Sequence, residues 1–308
     1  MRNIIPILLA MTLLGTACAI EAATEDKQTV FASPDEAFKS LLQGIEKNDD
    51  ALLLDVLGHA NKDLVVQSDK EESEEGRKRL SKLAKEHFEI EKSGDKATGC
   101  FGFKCWPFPI PLAKKAEGWY FDTAAGKEEI LNRRIGRNEL KAIQFMDVYA
   151  DAQRDYMSAD RTGDKVQKYA QKLISSKDKK DGLYWAVATG TKDEPSPLGS
   201  VLAEDQDFRA GDGTDVPLNG YYFRVLNKQG ADAPNGKYSF VINGNMIAGF
   251  ALVGWPADYG SSGIMAFVIS HNGTVYQKDL GADTAKLAAT MDEYNPDKTW
   301  KELKSEDK

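Results

Sequence analysis

Two of the chain's three cysteines, Cys100 and Cys105, stand five positions apart in the stretch CFGFKCWPFPIPL. In an oxidising compartment two such thiols form one bond. The intervening Phe101-Gly102-Phe103-Lys104 suits a four-residue hairpin loop, which would set the two Cβ atoms opposite each other. A metal centre would need further ligands. The only histidines are His59, His87 and His271, at no metal spacing relative to this C-x4-C, and a redox-active pair would be C-x-x-C. No metal or cofactor is therefore expected.

Arg133, Arg134 and Arg137, set off by Gly136, form a second group, because guanidinium forks suit carboxylates and phosphates. Glu128, Glu129 and Glu139 lie within helical reach, so ion pairing inside the helix is the plainer reading. A third group is Trp255, Asp258 and Tyr259, with Tyr184-Trp185 and Tyr221-Tyr222 expected nearby. Aromatics beside an acid can stack on sugar rings or on a partner peptide, although half-buried strands favour aromatics for packing alone. Asp258 with a second acid is also the pair a hydrolase would use. Gly260-Ser261-Ser262-Gly263 is not G-x-S-x-G, and neither H-E-x-x-H nor a phosphate-binding glycine loop occurs.

The elements that must position these groups follow from pattern. Ser33, with Pro34 behind it and Glu36 three residues on, starts a helix whose stripe is Phe38, Leu41, Leu42 and Ile45. Asn48-Asp49-Asp50 breaks it and caps a second helix, Ala51 to Leu57. The charged stretch from Asp69 to His87 reads as a surface helix. Strands are expected at Phe88 to Glu91, around the cysteine hairpin and at Trp119 to Asp122. Pro107, Pro109 and Pro111 hold WPFPIPL extended along an edge, with Trp106, Phe108 and Ile110 on one side.

After Asp122-Thr123 a long helix carries Ala142, Phe145, Tyr149, Ala152 and Tyr156 at spacings of three and four, a buried stripe. Asn243-Gly244 and His271-Asn272-Gly273, each between β-rich runs, predict hairpins of an antiparallel meander. Asp283-Thr284 is expected to cap a closing helix through about Glu293, with Lys301 to Lys308 frayed.

The chain has 308 residues, 40 basic and 48 acidic, for a formal charge of −8. That length allows two domains, and that charge offers no global field for nucleic acid. The first residues have Arg2, an apolar run from Ile4 to Leu14 and then small residues, the plan of a secretory signal too short to span a bilayer. Two processing routes compete, plain cleavage after the Ala17-Cys18-Ala19 pattern and lipid attachment at Cys18. No other apolar run reaches the length of a transmembrane helix.

The residues WPFPIPL, WYFDTAAGKEEILNRRIGRNELKAIQ, DGLYW, INGNMIAGFALVGWPADYG and VYQKDLG together resemble the bacterial exported family catalogued as domain of unknown function 2950. The resemblance spans nearly the whole chain and implies an exported protein of a Gram-negative bacterium, with no activity assigned. Relatives carry an acidic loop after the long helix, and here it reads Asp160-Arg161-Thr162-Gly163-Asp164. Arg161 and Thr162 replace what calcium would need, so a capped helix end is expected instead. The order of long helix, then meander, also resembles the globular part of type IV pilins, as a fold-level analogy.

These readings predict an α+β chain: a signal over 1–23, an N-terminal α+β domain over 24–122, and a long helix packed on an antiparallel sheet over 123–308. They favour an exported, non-enzymatic binding or scaffolding module for an envelope protein or cell-wall partner. The alternative is an envelope hydrolase using paired carboxylates.

Overall fold

The computed structural model describes residues 28–66, 70–187, 194–203, 205–211 and 213–304. The signal segment and Cys18 lie outside the described residues. The described chain forms two compact units that part at Gly126 and Lys127.

The first unit begins with α1 (Pro34–Lys47), α2 (Asp50–Leu57), a 3-10 turn at His59–Asn61, α3 (Lys62–Val65) and α4 (Lys70–Glu86). Ser33 Oγ accepts the Glu36 N–H at 3.2 Å and Glu36 Oε2 accepts the Ala32 N–H, so the start of α1 is tied from both sides. Asp49 caps α2 by accepting the Leu52 N–H. Five strands follow: β1 (Phe88–Ser93), β2 (Lys96–Phe101), β3 (Trp106–Pro107), β4 (Leu112–Lys115) and β5 (Gly118–Phe121). They make one antiparallel sheet in the order β1-β2-β4-β5, with β3 pairing β2. Phe38 of α1 sits at the centre of the core against Phe88, Phe108 and Phe121. Gly99 is glycine for this reason, since a Cβ there would meet the Phe38 ring at 2.7 Å.

The cysteine hairpin turns one residue later than expected, its four-residue loop running over 102–105. Phe101 pairs Trp106 and Cys100 pairs Pro107, so Cys105 lies inside the loop, with a left-handed φ of 48°. Gly102, at φ 72°, supplies the other left-handed residue that this loop needs. The two sulfurs still meet at disulfide distance, with the Cα atoms 4.5 Å apart. The proline stretch also divides its aromatic side. Phe108 and Ile110 are buried, whereas Trp106 keeps 40% of its surface.

The second unit is built on α5 (Thr123–Met157), whose first turn belongs to the first unit. Asp122 accepts the Ala125 N–H at its start. After α5 come α6 (Gln206–Ala210), β6 (Tyr221–Leu226), β7 (Lys228–Gln229), β8 (Tyr238–Ser239), β9 (Val241–Ile242), β10 (Asn245–Met246), β11 (Ala251–Pro256), β12 (Met265–Ser270), β13 (Val275–Asp279), α7 (Thr284–Thr290) and β14 (Lys301–Glu302). The main sheet runs β14-β13-β12-β11-β6, every neighbour antiparallel. The predicted stripe of α5 is buried in full and packs on one face: Phe145 meets Phe223, and Tyr149 donates to the Ala251 carbonyl at 3.2 Å. On β6, Arg224 points the other way and donates to the carbonyls of Ala288 and Met291 at the end of α7. With helices on both faces, all six residues of β11 are buried.

Three expectations are corrected here. Asn243 and Gly244, both at positive φ, do turn a two-residue hairpin, but it joins only β9 and β10 in a ribbon apart from the meander. The closing helix stops at Thr290, not Glu293, and the Asp283 side chain does not cap its start; Thr284 Oγ1 donates back to the Gly281 carbonyl instead. The C-terminal segment does not fray at Lys301, because β14 pairs β13 and the buried Leu303 donates its N–H to Val275.

Candidate functional site

The Arg group and the aromatic group both fall in the second unit, where Asn138 of α5 donates to the Ser262 carbonyl on the turn that carries Asp258 and Tyr259. Arg133 pairs with Glu129 at 2.7 Å along the helix. Arg134 and Arg137 are exposed and have no ion pair among the described residues. Glu139 is committed elsewhere, accepting the N–H groups of Ile264 and Met265 where β12 begins. Trp255 is buried against Tyr222, with ring centroids 5.8 Å apart. Asp258 and Tyr259 stand on a turn at the end of β11: the Asp258 carbonyl accepts from Ser261 and Ser262, and the Tyr259 hydroxyl donates to Asp279 at 3.0 Å. Tyr221 joins this neighbourhood, its hydroxyl donating to the Met265 carbonyl. Tyr184 and Trp185 do not.

Those last two form the wall of a cavity of about 680 Å³ at the C-terminal end of α5. Five basic residues line it against two acidic ones: Arg161, Lys177, Lys179, Lys180 and Arg209 face Asp178 and Asp181. The Arg161 guanidinium lies 6.0 Å from the Trp185 ring centre, and Lys180 Nζ lies 5.2 Å from it. Arg209 stands 6.0 Å from the Tyr184 ring centre and donates to its hydroxyl at 3.3 Å. Each cation thus rests on the negative face of a ring.

Local chemistry explains why the backbone goes there. The last carbonyls of α5 lack a following helical turn, and Arg161 turns back to donate to those of Asp155 and Tyr156, at 3.0 and 3.4 Å. Its side chain is only 4% exposed. Asp160 shapes the loop around it by accepting the N–H groups of Thr162, Gly163 and Lys165. The Lys165 amide above all holds the Asp160 carboxyl below its ordinary range. The Asp160 carboxylate is thereby occupied by backbone donors, in accord with a capped helix end. The facing loop is pinned by Asp181, which accepts from Ser176 and from Lys172 at 2.9 Å. Burial pushes the Asp181 carboxyl up, but Lys172 and the Ser176 donors outweigh it, and the net shift is down. Tyr156 holds the loop by donating to the Lys180 carbonyl. Burial, and then the Asp181 charge, push its phenol up to about 12, so it stays a donor.

One carboxylate already occupies part of the cluster. Glu194 pairs with Arg161 through Oε1 and reaches Lys180 Nζ at 3.7 Å through Oε2, while its carbonyl accepts the Trp185 indole N–H. Sequence reasoning noted Tyr184-Trp185 and the charge of Arg161 separately. It missed Lys180, Glu194 and Arg209. The available signal was the run KDKKD at 177–181, two residues before that aromatic pair.

No described helix is long and apolar enough to cross a membrane. No curated protein and no solved structure matches the chain, so the pilin likeness carries no argument. One family model does match, described as protein of unknown function (DUF2950), over residues 28–303, and the chain belongs to that family.

Proposed function

We propose that the protein is an exported, non-enzymatic binding module that captures a carboxylate-bearing partner in the cavity beside Trp185. The partner class is an acidic peptide segment, of an envelope protein or of the cell wall's peptide stems. The observation that carries this reading is Glu194, a carboxylate held by Arg161 and Lys180, the two cations that rest on the Trp185 indole. It displays the chemistry that the remaining cations, Lys177, Lys179 and Arg209, offer to a second acidic group. The cavity is lined mainly by cations, whereas acid catalysis by a carboxyl needs a carboxyl held protonated. Among the described residues every carboxylate that the fold shifts, Asp181 included, is shifted downward. Export rests on the N-terminal signal pattern and gains support from the sulfurs of Cys100 and Cys105 at disulfide distance. A lipid on Cys18 would tether the module to a membrane; plain cleavage would release it.

Lys177 and Lys179 are exposed and unpaired among the described residues, so changing them leaves the fold alone. Calorimetric titration with a glutamate-rich peptide and with soluble stem-peptide fragments tests the reading. The wild-type chain should bind one of them, and the double substitution Lys177→Glu/Lys179→Glu should weaken it by about tenfold or more, since a charged hydrogen bond is worth roughly 1.5–3 kcal/mol. No binding of either probe, or equal affinity in the variant, would reject the proposal.

A further inference from the structure

The hairpin that brings the two sulfurs together also brings oxygen donors to them. Glu89 of β1 stands directly opposite Cys100 of β2, and Glu91 follows two residues along the same strand, hence on the same face. One donor atom from each of Glu89, Glu91, Cys100 and Cys105 falls within 4.8 Å of all the others. Cys105 Sγ is 3.9 Å from Glu91 Oε1. A tetrahedral zinc centre holds sulfur at about 2.3 Å and oxygen at about 2.0–2.2 Å, which sets its donors roughly 3.4–3.8 Å apart. The four groups therefore lie within a small side-chain adjustment of a closed S2O2 shell. His87 Nε2 lies 3.6 Å from Glu89 Oε2, where an imidazole can orient a ligating carboxylate. The C-x4-C spacing alone conceals this set, because its oxygens come from the neighbouring strand.

We infer that this hairpin is a redox-gated site for a thiophilic divalent cation such as zinc, with Cys100, Cys105, Glu89 and Glu91 as ligands. While the sulfurs are bonded to each other the site is closed. A dithiol reductant opens it by thiol–disulfide exchange: the protein S–S bond breaks, two electrons pass to it, the reductant becomes a disulfide and the protein gains two thiols. The cation then replaces the two thiol protons, which leave to solvent, so binding weakens as the medium is acidified.

The full chain is titrated with Zn²⁺ against a chromophoric chelator, and with Cd²⁺ while following thiolate-to-metal charge-transfer absorption. One sample is oxidised. The other is reduced by a water-soluble phosphine, which takes an oxygen from water as it cleaves the disulfide. The reduced chain should bind one cation with the charge-transfer band, and the oxidised chain should not. The variant Glu89→Gln/Glu91→Gln should lose at least about tenfold in affinity, given that even the outer partners of metal ligands are worth 10–100-fold. The Cys100→Ser/Cys105→Ser chain, which retains Cys18, serves as the blank. Should that variant fold poorly, re-oxidation of the metal-loaded wild-type chain tests the same point, because it should expel the cation. Equal uptake by oxidised and reduced chains, equal affinity in the Glu variant, or retention of the metal on re-oxidation would each overturn the inference.

Discussion

Arg161 meets three demands at one position: it closes the carbonyl end of a long helix, it stacks on Trp185, and it anchors the carboxylate of Glu194. A buried guanidinium is tolerated because its charge has these partners. His271 is the opposite case. It packs against Phe240 and Phe250, with Nδ1 buried and without a hydrogen bond, and burial holds its pKa below the ordinary 6.5. Its folded pKa is depressed, so the unfolded chain binds the proton more readily. The stability that neutral His271 contributes is complete above the unfolded value and is lost as pH falls from about 6.5 toward the folded one. Denaturant midpoints measured from pH 7.5 to pH 5 should decline for the wild-type chain and decline less for His271→Gln. Parallel slopes would show that this imidazole is not the group responsible.

At the scale of elements, two glycines of the second unit test how its helix and sheet are fitted. Gly254 lies on β11 under α5, where a Cβ would meet Met146 Cε at 2.7 Å and the Phe223 ring at 2.8 Å. Gly254→Ala should therefore destabilise the protein by about 1–3 kcal/mol through overpacking. Gly136 lies within α5 with nothing near a new Cβ, so Gly136→Ala should stabilise it by about 0.5–1 kcal/mol. Urea titration of both variants checks the signs, and a stabilised Gly254→Ala would disprove the packing described. Elements with strong local signals were legible in the sequence: the Ser33 cap, the buried stripe of α5, and the turn at Asn243-Gly244. What failed depended on distant pairing. Nothing local to Lys301 announces that β13 will offer it an edge, and nothing in C-x4-C reveals that Phe101 and Trp106 close the loop. The candidate site was half legible for the same reason. Tyr184-Trp185 drew notice as aromatics, but Arg161 and Arg209 reach them only through the fold.

For the whole molecule, a formal charge of −8 makes the cationic cavity a local exception. An acidic ligand approaches against the chain's overall field and gains attraction only within about a Debye length, roughly 8 Å at physiological salt, of the five basic residues. Affinity should accordingly weaken with added salt, and the contact should be confined to the cavity. The most direct test is to map that contact. In an amide and indole spectrum of the isotope-labelled protein, titration with the acidic peptide should move the Trp185 indole resonance and the amides of 174–186, and leave Trp255 and 133–137 in place. Shifts centred on Trp255 and Tyr259 or on Arg134 and Arg137, with the Trp185 signals unmoved, would contradict the account.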